Sequence, residues 1–122
     1  MILKGRSIFP GNVEGEVVKC DRPLIILGDI DPRRGYVEGC GEIAGKVLVF
    51  PRGAGSTVGS YTIYALRYYK KAPLAMVVRE AEPIVVAGAI IAEIPTVDGI
   101  DINKIRDGDV VKIRGDVVEI PE

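Results

Sequence analysis

Apolar positions along the chain change period several times, and each change marks a predicted element. Near the start, Ile2-Leu3, residues 13–18 and residues 23–27 are short apolar or alternating runs bounded by Gly, Pro or Asp, a pattern of short antiparallel strands. Residues 28–35 are polar, with Asp31 before Pro32 and Gly35 closing the stretch, which is the chemistry of an exposed turn. Lys46-Val47-Leu48-Val49-Phe50 is an unbroken apolar run that stops at Pro51, as a buried strand does where proline removes the backbone donor.

Beyond the glycine-rich segment that follows, Val58, Tyr61, Thr62, Ala65, Tyr68 and Tyr69 recur at three- and four-residue spacing. That spacing predicts a helix with Tyr61, Tyr64, Tyr68 and Tyr69 as packing residues, and Lys70-Lys71 stand at the end that suits cations. Residues 74–78 form a second buried-strand run. Glu82-Pro83 ahead of residues 84–89 suggests a helix with proline at its first position, although the β-branched runs Ile84-Val85-Val86 and Ile90-Ile91 also suit a strand. Residues 100–105 fit one helical turn. Residues 110–113 and 117–120, joined by Arg114-Gly115-Asp116, fit a hairpin. The sum is a mixed α/β chain: a small β-sheet or barrel with two or three flanking helices, expected to form a single domain over residues 1–122.

Composition narrows the chemistry. With 48% hydrophobic and 27% charged residues the balance is globular, and no run approaches the roughly 20 apolar residues of a membrane span. The charged N-terminal stretch Met-Ile-Leu-Lys-Gly-Arg lacks the apolar core of an export signal, so a cytoplasmic location is expected. A net charge of −1 with no basic cluster argues against nucleic acid as a partner. The chain contains no histidine, so imidazole bases, phosphohistidine carriers and His metal ligands are excluded within it. Cys20 and Cys40, without CxxC spacing, are too few for a zinc or iron–sulfur site and read as buried free thiols or as one ligand of a shared site. No metal is expected in this chain by itself.

The segment with most chemical potential is Arg52-Gly53-Ala54-Gly55-Ser56-Thr57, set between a buried strand and a helix. The unpaired N–H groups at the start of such a helix form an anion site. Gly53 and Gly55 let a ligand approach the backbone, Arg52 offers a planar fork for a carboxylate or phosphate, and Ser56, Thr57 and Ser60 add hydroxyls. A glycine loop with a Ser or Thr cap also occurs in proteins that bind nothing there. The spacing matches neither GxxxxGK[ST] nor GxGxxG, so a nucleotide is not indicated.

PRGAGSTVGSYTIYAL over residues 51–66 resembles the small, swivelling subunit of aconitase X enzymes. Gly28-Asp29-Ile30-Asp31-Pro32, Ile43-Ala44-Gly45-Lys46-Val47, Glu82-Pro83-Ile84-Val85, Gly88-Ala89-Ile90, Ile94-Pro95-Thr96-Val97 and Gly108-Asp109-Val110-Val111 resemble further landmarks of that family in order, so the likeness spans nearly the whole chain. It implies a swivelling β/β/α domain that forms a heterodimer with a large aconitase X type subunit. The large subunit would hold an iron–sulfur cluster, of 4Fe-4S type, acting as a Lewis acid on a departing hydroxyl. The implied activity is that of a hydro-lyase acting on a small hydroxy acid, with Ser56 after Gly55 as proton acceptor. Arg52, Gly53, Gly55, Thr57 and Ser60 would bind substrate.

The arginine of the ordinary aconitase loop, two positions after its serine, is replaced by Val58, which leaves Arg52 as the candidate for carboxylate recognition. The likeness is greatest to archaeal members acting on (R)-5-phosphomevalonate, which yield trans-anhydromevalonate 5-phosphate for isoprenoid synthesis. Relatives acting on cis-3-hydroxy-L-proline, or a non-catalytic module that grips an anion or a partner, are the alternatives. The tail also resembles phosphohistidine swivelling domains, whose chemistry the missing histidine removes.

Overall fold

The structure is a computed structural model that describes residues 1–56 and 58–121. Its strands are β1 (Ile2–Lys4), β2 (Arg6–Phe9), β3 (Asn12–Lys19), β4 (Leu24–Ile25), β5 (Ile30–Asp31), β6 (Tyr36–Val37), β7 (Gly41–Glu42), β8 (Val47–Phe50), β9 (Gly53–Ala54), β10 (Ala75–Val78), β11 (Thr96–Asp98), β12 (Val110–Arg114) and β13 (Val117–Glu119). The helices are α1 (Ile26–Asp29), α2 (Gly59–Tyr68) and α3 (Pro83–Ala92), with one 3₁₀ turn at Ile102–Lys104.

Eight strands form one mixed sheet in the order β1-β13-β12-β3-β8-β10-β11-β2, so the sheet is open at β1 and β2 and is not a barrel. At its centre β3, β8, β10 and β11 run parallel. Every residue of β8 and β10 is buried, because both faces of these strands are covered. Leu48, Phe50, Met76 and Val78 point into a core shared with Ile63 and Leu66 of α2 and Val85 and Ala89 of α3. Their neighbours Val47, Val49, Ala75 and Val77 point into a second core closed by Val111, Ile113 and Val118 of the β12–β13 hairpin. The layers are therefore hairpin, central sheet and helices, the β/β/α order that the sequence resemblance implies.

Local rules account for most of these elements. The α3 helix starts where Glu82 caps it by accepting the Ile84 N–H at 3.0 Å, with Pro83 following at the first helical position. This decides residues 84–91 as helix, over the strand their β-branched composition also allows. Gly88 lets α3 lie directly on α2: a Cβ there would meet Ile63 Cδ1 at 2.4 Å. The β12–β13 turn uses Gly115 at φ 61°, where a side chain would be strained.

Four expectations need correction. The early strands are not all antiparallel: β3 is antiparallel to β12 but parallel to β8, because the connection after it returns through the small strands and not through a hairpin. Residues 23–27 are not one strand. Only Leu24–Ile25 is extended, since pairing with β9 stops there and the chain turns into α1. Residues 28–35 are not wholly an exposed turn. Ile30 is buried and starts the small antiparallel sheet β5-β6-β7, because its apolar side chain joins the helix-side core. The α2 tyrosines are not packing residues: the helix buries Gly59, Thr62, Ile63 and Leu66, a stripe at i, i+3, i+4 and i+7, and Tyr61, Tyr64, Tyr68 and Tyr69 fall outside it, with Tyr61 69% exposed.

The reading of Cys20 and Cys40 as free thiols is also corrected: they form a disulfide. The end of β3 and the β6–β7 turn are brought together with Cα atoms 5.7 Å apart, within bridging range. Among the described residues no helix is long and apolar enough to cross a membrane.

Candidate active site

The glycine loop leaves the buried end of β8 and is held in place from two sides. On one side Pro51 O accepts the N–H groups of Arg79 and Glu80, each at 3.1 Å, which ties the loop to the strand end of β10. On the other, Leu24 N–H donates to Arg52 O at 3.0 Å and β4 pairs in parallel with β9, matching Leu24 with Gly53 and Ile25 with Ala54. Gly55 then takes φ 98°, a left-handed conformation that glycine adopts without strain, with Ile25 Cγ2 closing over it. That reversal delivers Ser56 to the start of α2.

Ser56 is exposed. Its carbonyl accepts the Gly59 N–H at 2.9 Å, and its Oγ accepts the Val58 N–H at 3.4 Å. The hydroxyl thus lies at the positive end of the α2 dipole, where N–H groups favour negative charge on an oxygen. Arg52 is exposed, and among the described residues its guanidinium makes no ion pair or side-chain hydrogen bond, so its charge is available to an anion. Gly53 is buried. Ser60 is the second residue of α2, half-buried. Thr57, the remaining expected binding residue, lies outside the described residues. The loop therefore brings Arg52, Gly53, Gly55, Ser56 and Ser60 onto one continuous strand-to-helix turn.

Two residues that support this turn do not announce themselves by their neighbours in sequence. Asp29, at the end of α1, accepts the Ile25 N–H at 2.8 Å and pairs with Arg22 at 2.7 Å, and Arg22 also donates to Glu38 O. Burial pushes the Asp29 carboxyl up, but the hydrogen bond from Arg22, the Ile25 N–H and the charge of Arg22 together outweigh it and hold the group below its ordinary value. Asp29 is thus a brace for β4. Glu82 is the second: its Oε1 is buried without a hydrogen-bond partner among the described residues, beside Gly53. Its place as a helix cap is readable from Glu-Pro, its contact with the loop is not.

Among the described residues there is no group of three or more potential metal ligands, and both cysteines are committed to each other. The donors of this chain do not fit an iron–sulfur cluster.

The layered β/β/α fold is that of a swivel domain. The chain belongs to the aconitase X swivel domain family, whose profile matches residues 2–120. It is 52% identical to the phosphomevalonate dehydratase small subunit of Thermococcus onnurineus, with 100% of both chains covered. Identity to the protein of the same name from Methanosarcina acetivorans is 47%, over 93% of this chain and 85% of that one. The crystal structure of Thermococcus kodakaraensis aconitase X in its holo-form superposes with a TM-score of 0.96 at 52% identity, covering 100% of this chain and 99% of that one.

Proposed function

We propose that this chain is the small subunit of a phosphomevalonate dehydratase, a hydro-lyase that removes water from (R)-5-phosphomevalonate to give trans-anhydromevalonate 5-phosphate. The observation that carries the proposal is the exposed Ser56 at the start of α2 with, on the same loop, an Arg52 whose guanidinium has no partner among the described residues. Full-length relatives of about half identity that bear this name support it.

In this reading the chain acts as one swivelling unit, docked in the cytoplasm on a larger subunit. The iron–sulfur cluster, of 4Fe-4S type, belongs to that larger subunit, in keeping with the donors present here. Ser56 Oγ, in its ionised form, takes the proton from the carbon beside the carboxylate, the electron pair of that C–H bond becomes the new double bond, and the C–O bond breaks. The departing hydroxide leaves as water on gaining a proton, which over the cycle is the one Ser56 accepted. Negative charge grows on the carboxylate as the proton leaves, so catalysis requires groups that bind the transition state more strongly than the substrate. In this reading Arg52 is the group that does so. Serine is a weak base unless its ionised form is stabilised, and the helix start supplies the stabilisation. Gly55, Thr57 and Ser60 complete the substrate cradle, whereas Gly53, expected to admit the ligand, is buried against Glu82 and Val85 and supports the loop from beneath.

The test is reconstitution with the larger subunit and measurement of turnover on phosphomevalonate and on cis-3-hydroxy-L-proline. Phosphomevalonate should be consumed, and Ser56→Ala should lower turnover by roughly 10²–10⁴-fold while the complex still co-purifies. Survival of activity in Ser56→Ala overturns the assignment of the base, and turnover of hydroxyproline alone overturns the substrate.

A further inference from the structure

Glu82 does more than a helix cap requires. Its Oε2 accepts the Ile84 N–H at 3.0 Å, which satisfies the first turn of α3. Asp, Asn or Ser would cap at least as well. The longer side chain of glutamate carries its second oxygen, Oε1, into a buried position with no donor among the described residues, an arrangement that capping does not need and that desolvation opposes. That oxygen bears on the serine loop: a Cβ added at Gly53 would lie 2.5 Å from Oε1 and 3.3 Å from Cδ, with Val85 Cγ2 at 3.0 Å. Gly53 is thus wedged between the Glu82 carboxylate and Val85 on one side and its pairing with Leu24 on the other.

We propose that Glu82 is a positioning residue for the dehydration: with its α3 end fixed, its carboxylate sets the height of the Gly53 backbone and so the placement of Arg52 and Ser56. This rests on the function proposed above. The wedge acts through the loop and does not touch the substrate. Displacing a reacting group by a fraction of an ångström lowers the rate of the chemical step more than it lowers binding. The effect should therefore fall on kcat.

The deciding comparison uses the reconstituted complex with Glu82→Asp and Glu82→Gln. Asp keeps the cap but withdraws the second oxygen by one methylene, whereas Gln keeps both the cap and the wedge. Glu82→Asp should lower kcat about tenfold with KM within about twofold and Tm unchanged, and Glu82→Gln should retain kcat within about twofold. In the same complexes the amides of residues 53–56 should exchange hydrogen faster in Glu82→Asp than in wild type, a readout independent of the substrate. Wild-type kcat and unchanged loop exchange in Glu82→Asp overturn the inference, as does a fall in Tm that accounts for the whole loss. If wild type fails on phosphomevalonate, the function proposed above falls, and the exchange comparison still decides the role of Glu82.

Discussion

Asp29 accepts the Ile25 N–H at 2.8 Å, and through that one bond it fixes the outer strand on which the serine loop rests. Replacing Asp29 with alanine should remove this bond and the pairing with Arg22, costing about 1 kcal/mol, or a few degrees in Tm. The dependence on pH has a definite sign. A carboxyl held below its ordinary 3.8 in the folded chain contributes stability that is complete above the unfolded value and is lost as the pH falls through the folded one. Denaturant unfolding should therefore show a constant gap between wild type and Asp29→Ala near neutrality, closing below about pH 4. A gap that widens toward acid contradicts the assignment.

Gly55→Ala places a side chain at φ 98° and brings its Cβ to 3.3 Å from Ile25 Cγ2. The strain should cost about 1–3 kcal/mol, or be relieved by a shift of the loop. Because Ser56 follows directly, either outcome should reduce turnover of the reconstituted complex well beyond any loss of folded protein. Full activity with unchanged Tm would show that the reversal at Gly55 does not position the serine.

Gly88→Ala should force α2 and α3 apart, because the new Cβ would meet Ile63 Cδ1 at 2.4 Å and Ile63 Cβ at 2.8 Å. An overpacked helix contact of this kind costs about 1–3 kcal/mol. Adding Ile63→Val, which deletes the nearer of those atoms, should return part of the loss, so the two substitutions should be non-additive in thermal melts.

Much of this fold was legible in the sequence because its signals are local. The runs around Val47–Phe50 and Ala75–Val78 read as buried strands since both faces are covered, and Pro83 suggested a helix start, beside a strand reading that the structure removes. The place of Ser56 between the glycine loop and α2 was legible for the same reason. The tyrosine face of α2 was misread because aromatic spacing overlaps the smaller stripe of Gly59, Thr62, Ile63 and Leu66 that actually packs. The region from Leu24 to Glu42 was misread because its conformation depends on partners far along the chain: β9 for Leu24–Ile25, and Cys20 for Cys40. Glu82 and Gly53 are separated by 29 positions, and no local pattern records that they touch.

The bond between Cys20 and Cys40 closes a covalent ring over a separation of 20 residues, and Arg22, Leu24, Ile25, Ile26 and Asp29 all lie inside it. The outer support of the serine loop is thus tethered at both ends to the body of the domain. When heat frays the short strands β5 to β7, that support stays confined to the neighbourhood of the loop and has little distance to search before it closes again.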